Sequence, residues 1–283
     1  MTITQPKSLP QQSIAAIFEQ AALEAGRPIL AIHKAGPNAR YKADASPVTE
    51  ADEQAEAVIL AALEKLCPHI AIVAEEQAAA GYIPDITNKP FILVDPLDGT
   101  KEFINGHDDF TVNIALIEDG APIAGFVYAP ALGIAYSGNS EGAQKLWIDE
   151  NFEVIRREPI HARTVSAPGI AVASRSHRCT ETDFFLDHCG AAEIRTVGSS
   201  LKFCLIAEGA ADIYPRFGRT MEWDTAAGDA ILRASGGITV DLDGVPLRYG
   251  KTGRANCADF ANPDFIARCQ DKTPSITSRA GGD

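Results

Sequence analysis

The stretch TVNIALIEDGAPIAGFVYAP, Thr111 to Pro130, constrains the fold more than any other. Apolar and β-branched residues lead up to Asp119–Gly120 and resume after it. A DG pair between two such runs is a strong hairpin signal, because the turn needs residues that tolerate positive φ. GIAYSGN (133–139) and KLWIDE (145–150) read as further strands of the same antiparallel sheet. Upstream, IAIVA (70–74) and FILV (91–94) are short, apolar and β-branched, as buried strands are.

Helices are expected on either side of these strands. The first begins near Ser13, and Pro28 should kink or divide it. SPVTEADEQAEAVILAALEKLCP (46–68) reads as a loop and then a helix, with Ala55, Val58, Ile59, Ala62, Leu63 and Leu66 at helical spacing. Thr49 and Asp52 make a capping pair at its start. After about Pro159 strands and helices alternate: a strand in IAVASRSH, a helix around Phe184 and Phe185, a helix in SSLKFCLIAEG, a strand in ADIYP, then a helix in WDTAAGDAILRASGG ended by glycine. The pattern predicts an α+β first half and an α/β second half meeting at a cleft. The expected division is a tail over 1–10, a first domain over 11–158, a second over 159–270 and a tail over 271–283.

Composition narrows the function. The 283 residues carry a formal net charge of −13, which argues against nonspecific nucleic-acid binding. A small anionic substrate remains admissible if a metal, a helix N-terminus or a few basic side chains supply local positive charge. No run approaches the ~20 apolar residues of a membrane span, and the N-terminus shows no secretory pattern. The six cysteines are dispersed without a C-x-x-C, which suits reduced thiols in a cytoplasm.

The chemistry centres on DPLDGTKEF, Asp95 to Phe103, directly behind FILV. Asp95 closes a buried strand, and Pro96 helps to stop it. Gly99 reaches backbone angles other residues avoid, and Thr100, Lys101 and Glu102 can begin a helix whose free N–H groups face back toward the turn. Two carboxylates facing such a terminus suit a hard divalent cation and a phosphate together. The alternative is an acidic turn with Asp as a helix cap. The D-x-D-G-T motif of dehalogenase-type phosphatases fits poorly, since its aspartates are two apart and these are three apart. Glu75 and Glu76 stand at the end of IAIVA, either as ligands or as solvated charges. Asp224 follows Trp223 at a helix start, as a ligand or a cap, and Asp52 either joins the cluster or only closes its capping pair.

Taken together, DPLDGTKEF, AEE, PVTEAD and WDTAAGDA resemble the inositol monophosphatase superfamily of Mg²⁺-dependent, lithium-sensitive phosphatases, over roughly Ser13 to Phe265. VDPLDGTKEF, FTVNIALI, GFVYAP, SRSH, GSSLKFCLIAEG and YPRFG resemble its 3′(2′),5′-bisphosphate nucleotidase branch. The resemblance implies a layered αβαβα fold and removal of the 3′-phosphate of adenosine 3′,5′-bisphosphate, giving AMP and phosphate and clearing a by-product of sulfate assimilation. It implies two or three Mg²⁺ ions held by Glu75, Asp95, Asp98, Asp224 and the carbonyl of Leu97, with Glu75 chosen over Glu76. Thr100, with Glu75 and Asp52, would orient the attacking water, while Gly99 and the Thr100 amide hold the phosphate. Asp98, Gly198, Ser199, Ser200, Lys202, Arg216 and Asp224 would complete the substrate site, with Arg216 able to bind a second phosphate. The plainer readings are helix capping for Ser199 and Ser200 and solvated charge for Lys202 and Arg216. His177 receives no catalytic role. The loop AAAGYIPDITNKP (78–90) can alter access to the cleft.

The implied partner is a small nucleotide bisphosphate, with no nucleic acid and no stable protein partner. A homo-oligomer and peripheral association with an inner membrane are compatible with the sequence. Two other functions compete: a phosphatase of inositol or sugar phosphates, and a noncatalytic protein that binds nucleotide or metal.

Overall fold

The strand FILV is apolar at every position because it is buried on both faces. Phe91 and Leu93 enter one hydrophobic core, and Ile92 and Val94 enter another. The computed structural model describes residues 11–42, 46–165, 167, 169–255 and 257–271, so most of both expected tails lies outside the described residues. In chain order, α1 (Gln11–Ala35), a short hairpin of β1 (Ala39–Tyr41) and β2 (Pro47–Thr49), and α2 (Glu50–Leu66) come first. Then follow β3 (Ala71–Ala74), α3 (Glu75–Ala79), β4 (Phe91–Asp98), α4 (Thr100–Ile104), β5 (Thr111–Glu118), β6 (Ala121–Ala129), β7 (Ile134–Asn139), β8 (Gly142–Ile148) and β9 (Val154–Ile160). The rest comprises β10 (Thr164–Val165), β11 (Ile170–Ser174), α5 (Thr180–His188), β12 (Glu193–Val197), α6 (Leu201–Ala207), β13 (Ile213–Arg216), α7 (Glu222–Ala234), β14 (Ile238–Asp241), β15 (Phe265–Arg268) and β16 (Gln270–Asp271).

Strands β3 to β9 form one sheet in sequence order. Its only parallel pair is β3–β4, which brings the end of β3 beside the middle of β4, with Ala74 opposite Val94. The hairpin β5–β6 turns at Asp119 and Gly120, both at positive φ, as the DG pair predicts. A second sheet runs in the order β12-β11-β13-β15-β14. Helices α1 and α2 cover one face of the first sheet, and α6 and α7 lie between the two sheets. Ala171, Ala173, Leu186 and Ile213 join α5 to the far face of the second sheet. The result is the layered αβαβα arrangement.

Two local expectations need correction. Helix α1 is continuous through Pro28 rather than divided. Pro28 removes one helical hydrogen bond, but Phe18, Ala21, Ala22, Ala25 and Ile29 are buried on both sides of it and carry the helix across. Nor does Pro96 end β4. The strand continues to Asp98 through a bulge between Asp95 and Asp98. The capping box of α2 is present: Thr49 Oγ1 accepts from the Asp52 backbone N–H and Thr49 N–H donates to Asp52 Oδ2, with Ala51 N–H donating to Thr49 Oγ1 as well.

Candidate metal and phosphate site

The bulge in β4 explains why two aspartates three residues apart serve one site. Asp95 is opposite Asn113 on β5, and Asp98 is opposite Thr111. Three steps on β4 therefore match two on β5. In a regular strand residues i and i+3 face opposite sides; the extra residue returns both aspartates to the same side. That side continues the Phe91–Leu93 face, toward α7.

Helix α7 supplies the next carboxylate. Asp224 is its third residue, and its Oδ2 accepts from Met221 N–H at 2.8 Å. The capping and ligand readings thus coexist, because Oδ1 is left over. Asp95 is arranged similarly, with Oδ1 accepting from Leu97 N–H at 3.0 Å. Glu75 begins α3 at the end of β3. Carboxylate oxygens of Glu75, Asp95 and Asp224 lie within 4.8 Å of one another. Asp98, expected with them, falls outside this triad yet close enough for its charge to act on Asp95 and Asp224.

Such a cluster resists full ionisation. Burial first, then Glu75, Asp98 and Asp224, push the Asp95 carboxyl well above its ordinary value. Burial, with Asp98 and Glu75, does the same to Asp224. Asp98 is pushed up to about 6, mainly by burial, although Lys202 and the Ser200 N–H pull it down. These oxygen-only donors suit a hard divalent cation such as Mg²⁺, whose charge would relieve the repulsion.

Asp52 stands beside the triad with both oxygens engaged. Thr49 donates to Oδ2 through its N–H and its hydroxyl, and Thr100 Oγ1 stands 3.1 Å from Oδ1. Thr100 Oγ1 is also 3.2 Å from Leu97 O, so its single proton chooses between the two. Burial raises Asp52 to about 6 despite these donors. Gly99 has φ 92° and a hypothetical Cβ would sit 3.4 Å from Phe110 Cα and Ser199 Cβ, so glycine is required at this turn. Phe103 locks the short α4 in place, fully buried and 5.0 Å in centroid distance from Phe110.

Four charged residues, Lys42, Glu56, Lys101 and the cleft-lining Arg219, escaped the sequence reading as members of the site. Lys42 Nζ lies 2.7 Å from both Glu75 Oε1 and Glu76 Oε1. Burial pulls its ammonium down, but the two glutamates outweigh that and hold it above its usual range. Glu56 accepts from the N–H groups of Glu76 and Gln77, fixing the start of α3. Lys101 Nζ stands 3.2 Å from His177 Nε2. Lys42 and Glu56 reach Glu75 and Glu76 only in the folded chain; a lysine five residues before PVTEAD carries no signal of its own.

A cleft of about 380 Å³ opens over the cluster. Glu75, Leu97, Asp98, Gly99, Thr100 and Asp224 line it. Lys101, His177, Lys202, Arg216 and Arg219 line it too, with Ser199 and Ser200. Lys202 is buried and donates to Val197 O at 3.2 Å and Ser199 O at 2.5 Å. Burial lowers it to about 8. The buried Arg216 donates to His177 O and Arg219 O, while its Nε has no partner. Burial and the neighbouring Arg216, Lys101 and Lys202 charges lower His177 to about 4, so it is neutral near pH 7. Gly198 does not line the cleft; its N–H donates to Asp109 Oδ2.

The model of the inositol monophosphatase family matches residues 10–273. The chain belongs to the inositol monophosphatase family. Among its relatives, 3′(2′),5′-bisphosphate nucleotidase CysQ of Escherichia coli K12 is 46% identical over 224 residues, covering 79% of this chain and 86% of that one. CysQ of Salmonella typhimurium LT2 is 44% identical over 248 residues, 87% of this chain and 96% of that one. The crystal structure of CysQ from Bacteroides thetaiotaomicron, described as a bacterial member of the inositol monophosphatase family, superposes with a TM-score of 0.76 at 37% identity. It covers 93% of this chain and 99% of that one. Membership of the family rests on residues 10–273, and the layered fold agrees with it. Among the described residues no helix is long and apolar enough to cross a membrane.

Proposed function

We propose that this chain is a Mg²⁺-dependent phosphatase that removes the 3′-phosphate of adenosine 3′,5′-bisphosphate, giving AMP and phosphate. The observation that carries this reading is one cleft that opens over the carboxylate triad and is lined by a cationic wall as well. Relatives that span most of the chain bear the name of that activity.

Glu75, Asp95 and Asp224 would hold Mg²⁺, joined by Asp98 and the Leu97 carbonyl. Two or three ions fit the number of carboxylates. Bound there, the metal supplies Lewis acidity, lowering the pKa of water and stabilising the leaving oxygen. The chain does the rest. Thr100, its hydroxyl held against Asp52 and Leu97 O, orients the attacking water in line with phosphorus. Asp52, hydrogen-bonded to that hydroxyl and beside Glu75, takes up the one proton released. Gly99 and the Thr100 N–H cradle the scissile phosphate. Ser199, Ser200 and Lys202 shape the nucleoside side.

Lys101, Arg216 and Arg219 supply positive charge for a second phosphate. Two of the five Arg216 N–H donors are spent on the carbonyls of His177 and Arg219, and a phosphate would draw on the rest, the unpartnered Nε among them. A monophosphate of an uncharged polyol has no use for this wall. We place the enzyme in the cytoplasm, where its six free thiols stay reduced and its reaction disposes of a by-product of sulfate assimilation.

The test is kcat/KM for adenosine 3′,5′-bisphosphate against inositol 1-phosphate at equal Mg²⁺. The reading predicts a preference for the nucleotide of more than about 100-fold, since a buried cation left unpaired is costly. A preference for the inositol ester would overturn it.

A further inference from the structure

Ser200 is the residue before the first turn of α6, but its side chain makes no cap hydrogen bond. Its hydroxyl crosses to the first sheet instead. Ser200 Oγ donates to Asn113 Oδ1 at 2.7 Å and lies 2.9 Å from Thr111 Oγ1. With the Ser200 proton given to Asn113, Thr111 must be the donor in the second bond. All three residues are buried.

The partners are the residues opposite the bulge. Asn113 faces Asp95 across the ladder, and Thr111 faces Asp98. The Ser200 backbone N–H in turn acts on the Asp98 carboxylate, pulling its proton affinity down. One hydroxyl thus contacts the two β5 residues that face the two ends of the irregular segment carrying the aspartates. A bulge lacks part of its ladder, so its aspartates need support from elsewhere. The Asn113 Nδ2 is buried without a partner. A buried donor left unmet is costly, so Asn113 is a poor choice for stability alone.

We propose that the Thr111–Ser200–Asn113 bridge is a positioning device. It sets Asp98 relative to Asp95 and thereby tunes the affinity of the site for a divalent cation. The inference rests on the reading above that these aspartates hold Mg²⁺. It moves Ser200 from touching substrate to acting through Asp98. The seam is reinforced nearby, where Asp109 accepts from Arg175 Nη1 and Gly198 N–H and Glu102 accepts from Ser176 Oγ. Those contacts join the two sheets without touching the bulge.

The test is calorimetric Mg²⁺ binding to the full chain without substrate, with melting temperature measured in parallel. Thr111→Val keeps the shape and removes the donor; Thr111→Ser keeps the donor; Ser200→Ala removes the bridging hydroxyl. Thr111→Val and Ser200→Ala should each weaken Mg²⁺ binding by about 10-fold, the lower end for outer-shell partners of a metal ligand. Thr111→Ser should stay within about twofold. The double variant Thr111→Val with Ser200→Ala should be no weaker than Ser200→Ala alone, because both remove one bridge. Wild-type Mg²⁺ affinity in Thr111→Val and Ser200→Ala would overturn the proposal, even if their melting temperatures fall. A wild-type protein that binds no Mg²⁺ would remove the underlying reading, and the inference with it.

Discussion

Thr100 Oγ1 stands 3.1 Å from Asp52 Oδ1, across 48 residues of sequence. The hydroxyl opens a five-residue helix behind the β4 bulge, and the carboxylate closes the capping box of α2. Each residue has a local structural task, and their meeting creates a group able to orient water.

Thr100→Val removes that hydroxyl with little change in shape. The variant should keep its Mg²⁺ affinity and its KM within a few-fold, and lose about 10²-fold or more in kcat, the scale of one positioned acid–base group. Steady-state kinetics at saturating Mg²⁺ checks this. A kcat near wild type would take Thr100 out of the reaction.

The acidic cluster should invert the usual response to acid in metal-free protein. In the fold Asp52 and Asp98 are raised to about 6 and Glu76 to about 7, each mainly by burial, and Asp95 and Asp224 are also raised. Groups raised in the folded state favour folding below their unfolded values and lose that contribution as pH rises through the folded ones. His177 and Lys202 work the other way: the lowered His177 value costs stability as pH falls from about 6.5 toward 4, and Lys202, lowered to about 8 mainly by burial, costs stability as pH falls through about 8. The carboxylates outnumber them. In chelator, stability should therefore rise by on the order of 1 kcal/mol between pH 8 and pH 6. Because Mg²⁺ competes with the same protons, its stabilising effect should be larger at pH 8. Thermal melts with and without Mg²⁺ at both pH values decide the matter. A melting temperature that drops from pH 8 to pH 6 in chelator would contradict the electrostatics.

Asp224 depends on how closely α7 lies on the first sheet. A Cβ at Gly138 would meet Ile231 Cα at 2.5 Å, and one at Gly125 would meet Ala227 O at 2.4 Å. Backbone atoms cannot step aside cheaply. Gly138→Ala should lower stability by about 1–3 kcal/mol and weaken Mg²⁺ binding by displacing the helix. An unchanged melting temperature would show that the interface yields more easily than this packing implies.

Much of this arrangement is legible in the sequence because its signals are local. The DG turn, the Thr49–Asp52 box and the β-branched runs each depend on neighbouring residues, and all three are present. The role of Asp95 and Asp98 as a pair is legible only in part. Their spacing contradicts a regular strand, and the bulge that reconciles it is a matter of pairing with β5. Pro28 misleads for a related reason, since the helix around it is held by partners distant in the chain. Lys42 and the Ser200 bridge leave no trace in spacing at all, because their partners are 33 or more residues away.

The central claim is that the Glu75–Asp95–Asp224 cluster holds Mg²⁺ over a phosphoester. Phosphate release from adenosine 3′,5′-bisphosphate by wild type and Asp95→Asn, each with its Mg²⁺-induced thermal shift, tests it most directly. Wild type should turn over only with Mg²⁺ and be stabilised by it. Asp95→Asn should fold, at least as stably as metal-free wild type because a repelled buried charge is gone, yet show no turnover and a greatly reduced thermal shift. Turnover in chelator, or an active Asp95→Asn enzyme, would contradict the account.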